Sequence, residues 1–182
     1  MRSVCLSFLA AALSFFVIPV SYAQPLPSTF QQLLKQNGLR CTIPPGFVST
    51  PVIDNGDVLY DYAVKSRTKK LEIRYRIWPI KDGHEDFAAM LVVMGANISD
   101  GQFIQPVAYP PEAVKHEFGA DAGCSGLVRA KSDFGKGYKV CVISAIHKDG
   151  IADAYTFFLC DDPNVAIEAI ATEAVYHSLR FR

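Results

Sequence analysis

"YKVCVISAIHKDGIADAYTFFLC", residues 138–160, decides how this chain folds. Two β-rich runs, "YKVCVISAIH" and "ADAYTFFLC", flank a short "KDG", and the Asp149–Gly150 pair is a strong hairpin signal because both central residues of such a turn favour positive φ. Neither run alternates apolar with polar residues. Both are apolar on both faces, which predicts two central strands in a sheet covered on both sides.

Working outward, "SGLVRAKS" (125–132) and a "DFGKG" turn add a third strand before these two. Beyond them, "DDPNVAIEAIATEAVYHSLRF" starts with Asp162 as cap and Pro163 at the first helical position, then runs Ile167, Ile170 and Ala174 along one stripe. A terminal helix packed on the sheet follows. Earlier in the chain, "VLYDYAV" puts Tyr60, Tyr62 and Val64 on one face, and "LEIRYRIW" alternates Leu71, Ile73, Tyr75 and Ile77 with Glu72, Arg74, Arg76 and Trp78. With the polar "KSRTKK" between them they form an antiparallel hairpin.

Three helices separate or precede these groups. "STFQQLLKQNG" carries a capping-box pattern, Ser28 with Gln31, a face of Phe30, Leu33 and Leu34, and Gly38 as its stop. "DGHEDFAAMLVVMGANIS" opens on an Asp82 and Glu85 capping pattern and spaces Phe87, Met90, Leu91 and Met94 as the core face of a helix. "QPVAYPPEAVKHEFGADAG" is a long connection with one short helix starting near Pro111. Runs of antiparallel strands punctuated by helices define an α+β domain, here an antiparallel sheet with helices on both faces, an α/β/α sandwich.

The N-terminus has a different composition. Arg2 is the only charge before an apolar run from Val4 to Val20, and "SYA" puts Ser21 and Ala23 where a signal peptidase reads small residues. Residues 1–23 are expected to be a cleaved secretory signal, leaving one globular domain over 24–182, exported to the periplasm or secreted, with no stable membrane span. Four cysteines then remain, Cys41, Cys124, Cys141 and Cys160, and an even count in an exported chain permits disulfides in three pairings. Their spacings of 83, 17 and 19 residues match no zinc signature, so disulfides or buried thiols are expected rather than a metal.

With 18 basic and 18 acidic residues there is no broad positive field, which argues against nucleic acid as a partner. "FGADAGCSG" (118–126) sets a serine beside a cysteine between glycines, but Ser125 is followed by Gly126 and Leu127, so the G-x-S-x-G elbow of a hydrolase fails. Gly119, Gly123 and Gly126 are read as shaping a turn into a strand. His84, His116, His147 and His177 occur singly, without paired metal spacing. The best ligand-facing candidate is the alternate stripe Arg74, Arg76 and Trp78, suited to carboxylate or phosphate recognition, against the plainer reading of a solvated face with Glu72 as partner.

The "TIPPGF" turn after a first helix, the "YAVKSRTKKLEIRYRI" hairpin and the closing strand trio with its terminal helix resemble the PsbP-like fold group. That group includes extrinsic photosystem subunits, a nuclear Ran-binding import factor and bacterial exported proteins of the DcrB type. The resemblance covers about residues 28–182. It implies a largely non-catalytic fold used for binding and assembly, and it transfers no site residue. The expectation is a protein or small-molecule partner, no cofactor and no enzymatic activity; a small exported hydrolase with a spatially assembled site, or a secreted surface-interaction factor, is the alternative.

Overall fold

Residues 140–160 form two adjacent strands in the middle of a sheet in the computed structural model, which describes residues 25–182 except 55, 57, 81–85 and 104–105. The expected signal peptide, His84 and the Asp82 and Glu85 capping pattern lie outside the described residues. In chain order the elements are α1 (Ser28–Gln36), β1 (Leu39–Cys41), β2 (Phe47–Thr50), β3 (Tyr62–Ser66), β4 (Leu71–Pro79), α2 (Phe87–Ile98), β5 (Ser99–Phe103) and β6 (Val107–Ala108). They continue as α3 (Pro111–Phe118), β7 (Ala122–Ala130), α4 (Ser132–Gly135), β8 (Val140–Lys148), β9 (Ala152–Cys160), α5 (Pro163–Ile170), α6 (Glu173–Tyr176) and β10 (Leu179–Phe181). The protein is thus mixed α+β, with six helices and an eight-stranded antiparallel sheet among the described residues.

The sheet runs β2-β3-β4-β9-β8-β7-β5, with β6 also on β7; β1 and β10 pair separately. The early hairpin β3–β4 and the later trio β7–β8–β9 join where β4 pairs along its whole length with β9, Leu71 opposite Cys160 and Pro79 opposite Ala152. Every residue of β9 is buried. That follows from its position between two long strands with apolar clusters on either side, so both its side-chain rows need apolar surroundings.

Period-two alternation sorts the core into two clusters. One gathers Leu71, Ile73, Tyr75 and Ile77 of β4 with Phe30 and Leu34 of α1, Val114 and Phe118 of α3, Ala166 of α5 and Val175 of α6. The other gathers Cys141, Ile143 and Ala145 of β8 and Tyr155, Phe157 and Leu159 of β9 with Leu91, Met94 and Ile98 of α2 and Phe134 of α4. Helix α1 is anchored by Phe30 stacked on Tyr62 at 4.9 Å between ring centres, with Tyr62 in turn 6.1 Å from Tyr75. Burying a ring such as Phe30 contributes about 1.5–3 kcal/mol.

Several local expectations are corrected. Helix α1 already has its first turn closed by Gln31 N–H donating to Pro27 O, so Pro27 is the cap and Ser28 lies inside the helix, without the capping box. Helix α2 is capped by Asp86, whose carboxylate accepts from the amides of Ala88 and Ala89. Tyr60 does not share a face with Tyr62 and Val64. The carboxylate of Asp61 takes the Ile77 amide at 2.7 Å in place of a ladder carbonyl, so regular alternation starts only at Tyr62, and Tyr60 lies against Arg74 on the other side.

In the β8–β9 hairpin Lys148 pairs with Ala152, leaving a three-residue loop in which Gly150, at φ +66°, is left-handed and Asp149 is not. Gly123 and Gly126 lie within β7, and among the three glycines expected to shape a turn only Gly119, the left-handed cap of α3, does so. The terminal helix breaks after α5, where Thr172 Oγ1 donates to Ala169 O, and the chain returns as α6 and β10. Its expected inward stripe is displaced: Ala166 is buried while Ile167 is 57% exposed.

The four cysteines are free thiols, which corrects the disulfide expectation. Cys141 and Cys160 belong to opposite sides of the sheet, and Cys124 is opposite Ala145 while Cys141 is opposite Val128. Four residues of strand separate that last pair by roughly 13 Å, beyond the reach of an S–S bond. Among the described residues no helix is long and apolar enough to cross a membrane.

Candidate functional site

The adjacent pair in the glycine-rich stretch, Ser125 beside Cys124, is divided by the sheet itself. Ser125 pairs with Ser144 and Cys124 with Ala145, so the two side chains point to opposite sides. Cys124 joins the α2 side, where burial, aided by the nearby charge of Asp153, pushes its thiol up to about 11. At neutral pH it is a thiol, and thus a poor nucleophile.

His147 is also on the α2 side, opposite Asp153 of β9. Its Nδ1 is 2.6 Å from Asp153 Oδ1, its Nε2 is 2.9 Å from Asp149 Oδ1, and its ring stacks on Phe87 at 5.2 Å. Asp153 is fully buried and also accepts from Tyr155 Oη. Burial works against a charged imidazole here, but hydrogen bonds to Asp153 and then Asp149 outweigh it and raise the His147 pKa above its ordinary value. With both ring nitrogens facing carboxylates, the His147 ring is held in place and its protonated form is favoured. It stands three register positions and one face away from Ser125, so it cannot serve as that serine's base.

The other described histidines share one carboxylate. Glu117 lies 2.9 Å from His116 Nδ1 and 2.8 Å from His177 Nε2, and these hydrogen bonds hold its pKa below the usual carboxylate value.

The stripe Arg74, Arg76 and Trp78 does share one face of β4, but its members differ in access. Arg74 is 1% exposed. Its Nε donates to Glu72 Oε1 at 2.6 Å, its Nη1 donates to Phe134 O, and its guanidinium lies between the rings of Tyr60 and Phe134 at 4.8 and 5.0 Å. It ties the single turn of α4 to the sheet. Arg76 donates to Asp61 at 2.9 Å and lies 5.2 Å over Trp78, beside a groove of about 290 Å³ shared with Leu59, Met90 and Val93.

A different cleft, of about 280 Å³, opens between β7–β8–β9 and the α5–α6 segment. Its floor is one straight row of hydroxyls across three strands, Ser125 opposite Ser144 and Ser144 opposite Thr156. Apolar Val142, Ile146, Ala154 and Phe158 lie beside the row, two positions away along β8 and β9. Tyr109, Phe118, Ile167, Ile170, Val175 and Tyr176 contribute walls. Tyr109 Oη is 3.1 Å from Ser144 Oγ, and burial raises the phenol pKa of Tyr176. Among the described residues the lining holds no carboxylate, amine, guanidinium, imidazole or thiol.

Gly123 explains part of the glycine-rich stretch. A Cβ there would come within 2.9 Å of the Tyr109 ring and 3.2 Å of Val114 Cγ2, so its absence lets Tyr109 and α3 close onto β7 and build the wall. Sequence reasoning missed this cleft because Ser125, Ser144 and Thr156 are 12 to 31 positions apart and unremarkable singly. A usable signal was present: one serine or threonine in each of three neighbouring apolar strands.

No family model matches the chain, and comparison with curated proteins finds no relative.

Proposed function

We propose that this chain is an exported, non-catalytic binding protein of the PsbP-like type, with its sheet between helical layers and its ligand held in the hydroxyl-floored cleft. Support for the layered arrangement is the division of the core, with α1, α3, α5 and α6 contributing to one cluster and α2 and α4 to the other. Support for export is the charged start, apolar run and small-residue site in residues 1–23. One observation carries the binding reading: the cleft combines an apolar surround with convergent hydroxyls and, among the described residues, has no acid, base or thiol in its lining.

The hydrolase alternative gains little support, since Ser125 and His147 project from opposite faces of the sheet. Titration of the purified mature chain with N-phenyl-1-naphthylamine, a neutral apolar fluorophore, tests the reading. Saturable binding with one molecule per chain is expected. Ile167→Glu, an exposed position that lines the cleft, is expected to weaken it at least roughly tenfold by placing an ion beside an apolar ligand. Binding unaffected by that change would refute the site.

A further inference from the structure

We infer that the cleft selects an uncharged, mainly apolar ligand that presents a neutral oxygen, such as an alcohol, ester or carbonyl, to the row Ser125, Ser144 and Thr156. This rests on the binding reading above and narrows it to a chemical class. Neighbouring strands place the three hydroxyls about 4.8 Å apart, side by side, in the middle of an apolar floor. A hydroxyl both donates and accepts, so the row can satisfy a ligand oxygen in either role. It offers no charge to neutralise an ion.

The supply of hydrogen bonds is uneven along the row. Ser144 is engaged by Tyr109, whereas among the described residues no protein side chain or backbone group bonds the hydroxyls of Ser125 and Thr156. Those two flank Ser144 and are the free capacity of the floor. Nearby Tyr75 is fully buried with its hydroxyl beside Ser178, and burial raises its pKa well above the ordinary value, so it too stays neutral. A carboxylate or ammonium entering this surround would lose its hydration without gaining a counter-ion, a large penalty. An alkane would enter but leave the hydroxyls without a new partner.

Size bounds the ligand further. At about 30 Å³ per water, a cleft of about 280 Å³ has room on the order of nine waters, hence encloses about ten heavy atoms of a ligand, and the larger fluorophore and the ends of the longer chains extend past Ile167 at the rim.

Displacement of bound N-phenyl-1-naphthylamine by a chain-matched series, 1-decanol, methyl decanoate, decanoate and decylamine at neutral pH, tests the inference. Decanol and the ester are expected to displace the fluorophore at roughly tenfold lower concentration than either ion. The variant Ser125→Ala with Thr156→Val is expected to lose decanol affinity roughly two- to tenfold, since one alcohol oxygen reaches only one of two hydroxyls about two strand spacings apart, while keeping fluorophore affinity within about twofold. Fluorophore affinity also reports that the variant is folded, and Ser125→Ala and Thr156→Val measured singly serve together if the double change unfolds it. If decanoate displaces as well as decanol, or the hydroxyl variants bind decanol unchanged, the neutral-oxygen assignment is overturned while the cleft stands. If no alcohol competes and Ile167→Glu leaves fluorophore binding intact, the binding site itself is overturned.

Discussion

The two sides of the sheet treat polar side chains in opposite ways. Toward α2 and α4 the charged side chains have built-in partners, from the enclosed Arg74 with Glu72 to the half-buried Arg76 with Asp61, and His147 bridges Asp153 and Asp149. Toward α5 and α6 an open cleft is floored by neutral hydroxyls, and the pairs Glu117–His177 and Lys69–Glu168 are not among its lining residues. A buried ion must have its partner built in, because the cost of leaving it bare exceeds most single contributions to stability. A hydroxyl costs far less to leave unsatisfied and is therefore the group a fold can hold ready for a ligand. On the proposed function, the first side is architecture and the second recognition.

The contrast breaks most sharply at Glu72. Glu72→Ala strands the enclosed Arg74 guanidinium and is expected to cost about 3–5 kcal/mol by denaturant unfolding. Converting both partners together, Glu72→Leu with Arg74→Met, should recover most of that loss. A loss below roughly 1 kcal/mol for Glu72→Ala would mean that the pair is not the tie it is described as.

Gly123→Ala comes next, at about 1–3 kcal/mol, because the added methyl meets Tyr109 and Val114. Unlike the Glu72 change it should also weaken fluorophore binding, since the displaced Tyr109 is a cleft wall. Unchanged affinity in a destabilised Gly123→Ala protein would separate the wall from the site.

The smallest effect is a pH dependence from His147. Its folded pKa lies above the unfolded value, so its stabilising contribution is full below the unfolded pKa of about 6.5 and is lost as pH rises through the folded one. Unfolding midpoints from about pH 5.5 to 8.5 should therefore fall across the upper part of that range in the wild type and stay flatter in His147→Gln. Ligand affinity should not follow this curve, because His147 faces the other side.

Much of the fold was legible because it depends on short-range periodicity. The apolar runs at 140–148 and 152–160, the alternation at 71–79 and the cap at Asp162 appear as their residues suggest. Failures came where a side chain replaces a backbone partner, as Asp61 does for Ile77, or where pairing is remote. Strand β10 is specified by β1, with Leu39 opposite Phe181, and no local pattern in "LRF" announces that. The cleft was illegible for the same reason: its three hydroxyls converge only through register. The arginine stripe was read correctly as one face, but its burial depends on α4 and Tyr60 arriving from elsewhere.

Methyl NMR of residues 24–182 titrated with 1-decanol tests the division between the two sides most directly. The account predicts shifts concentrated at Ile167, Ile170, Val142 and Val175, with Leu91, Met94 and Ile143 unchanged. Shifts concentrated at Leu91, Met94 and Val93, beside Arg76 and Trp78, would place recognition on the ionic side and contradict it.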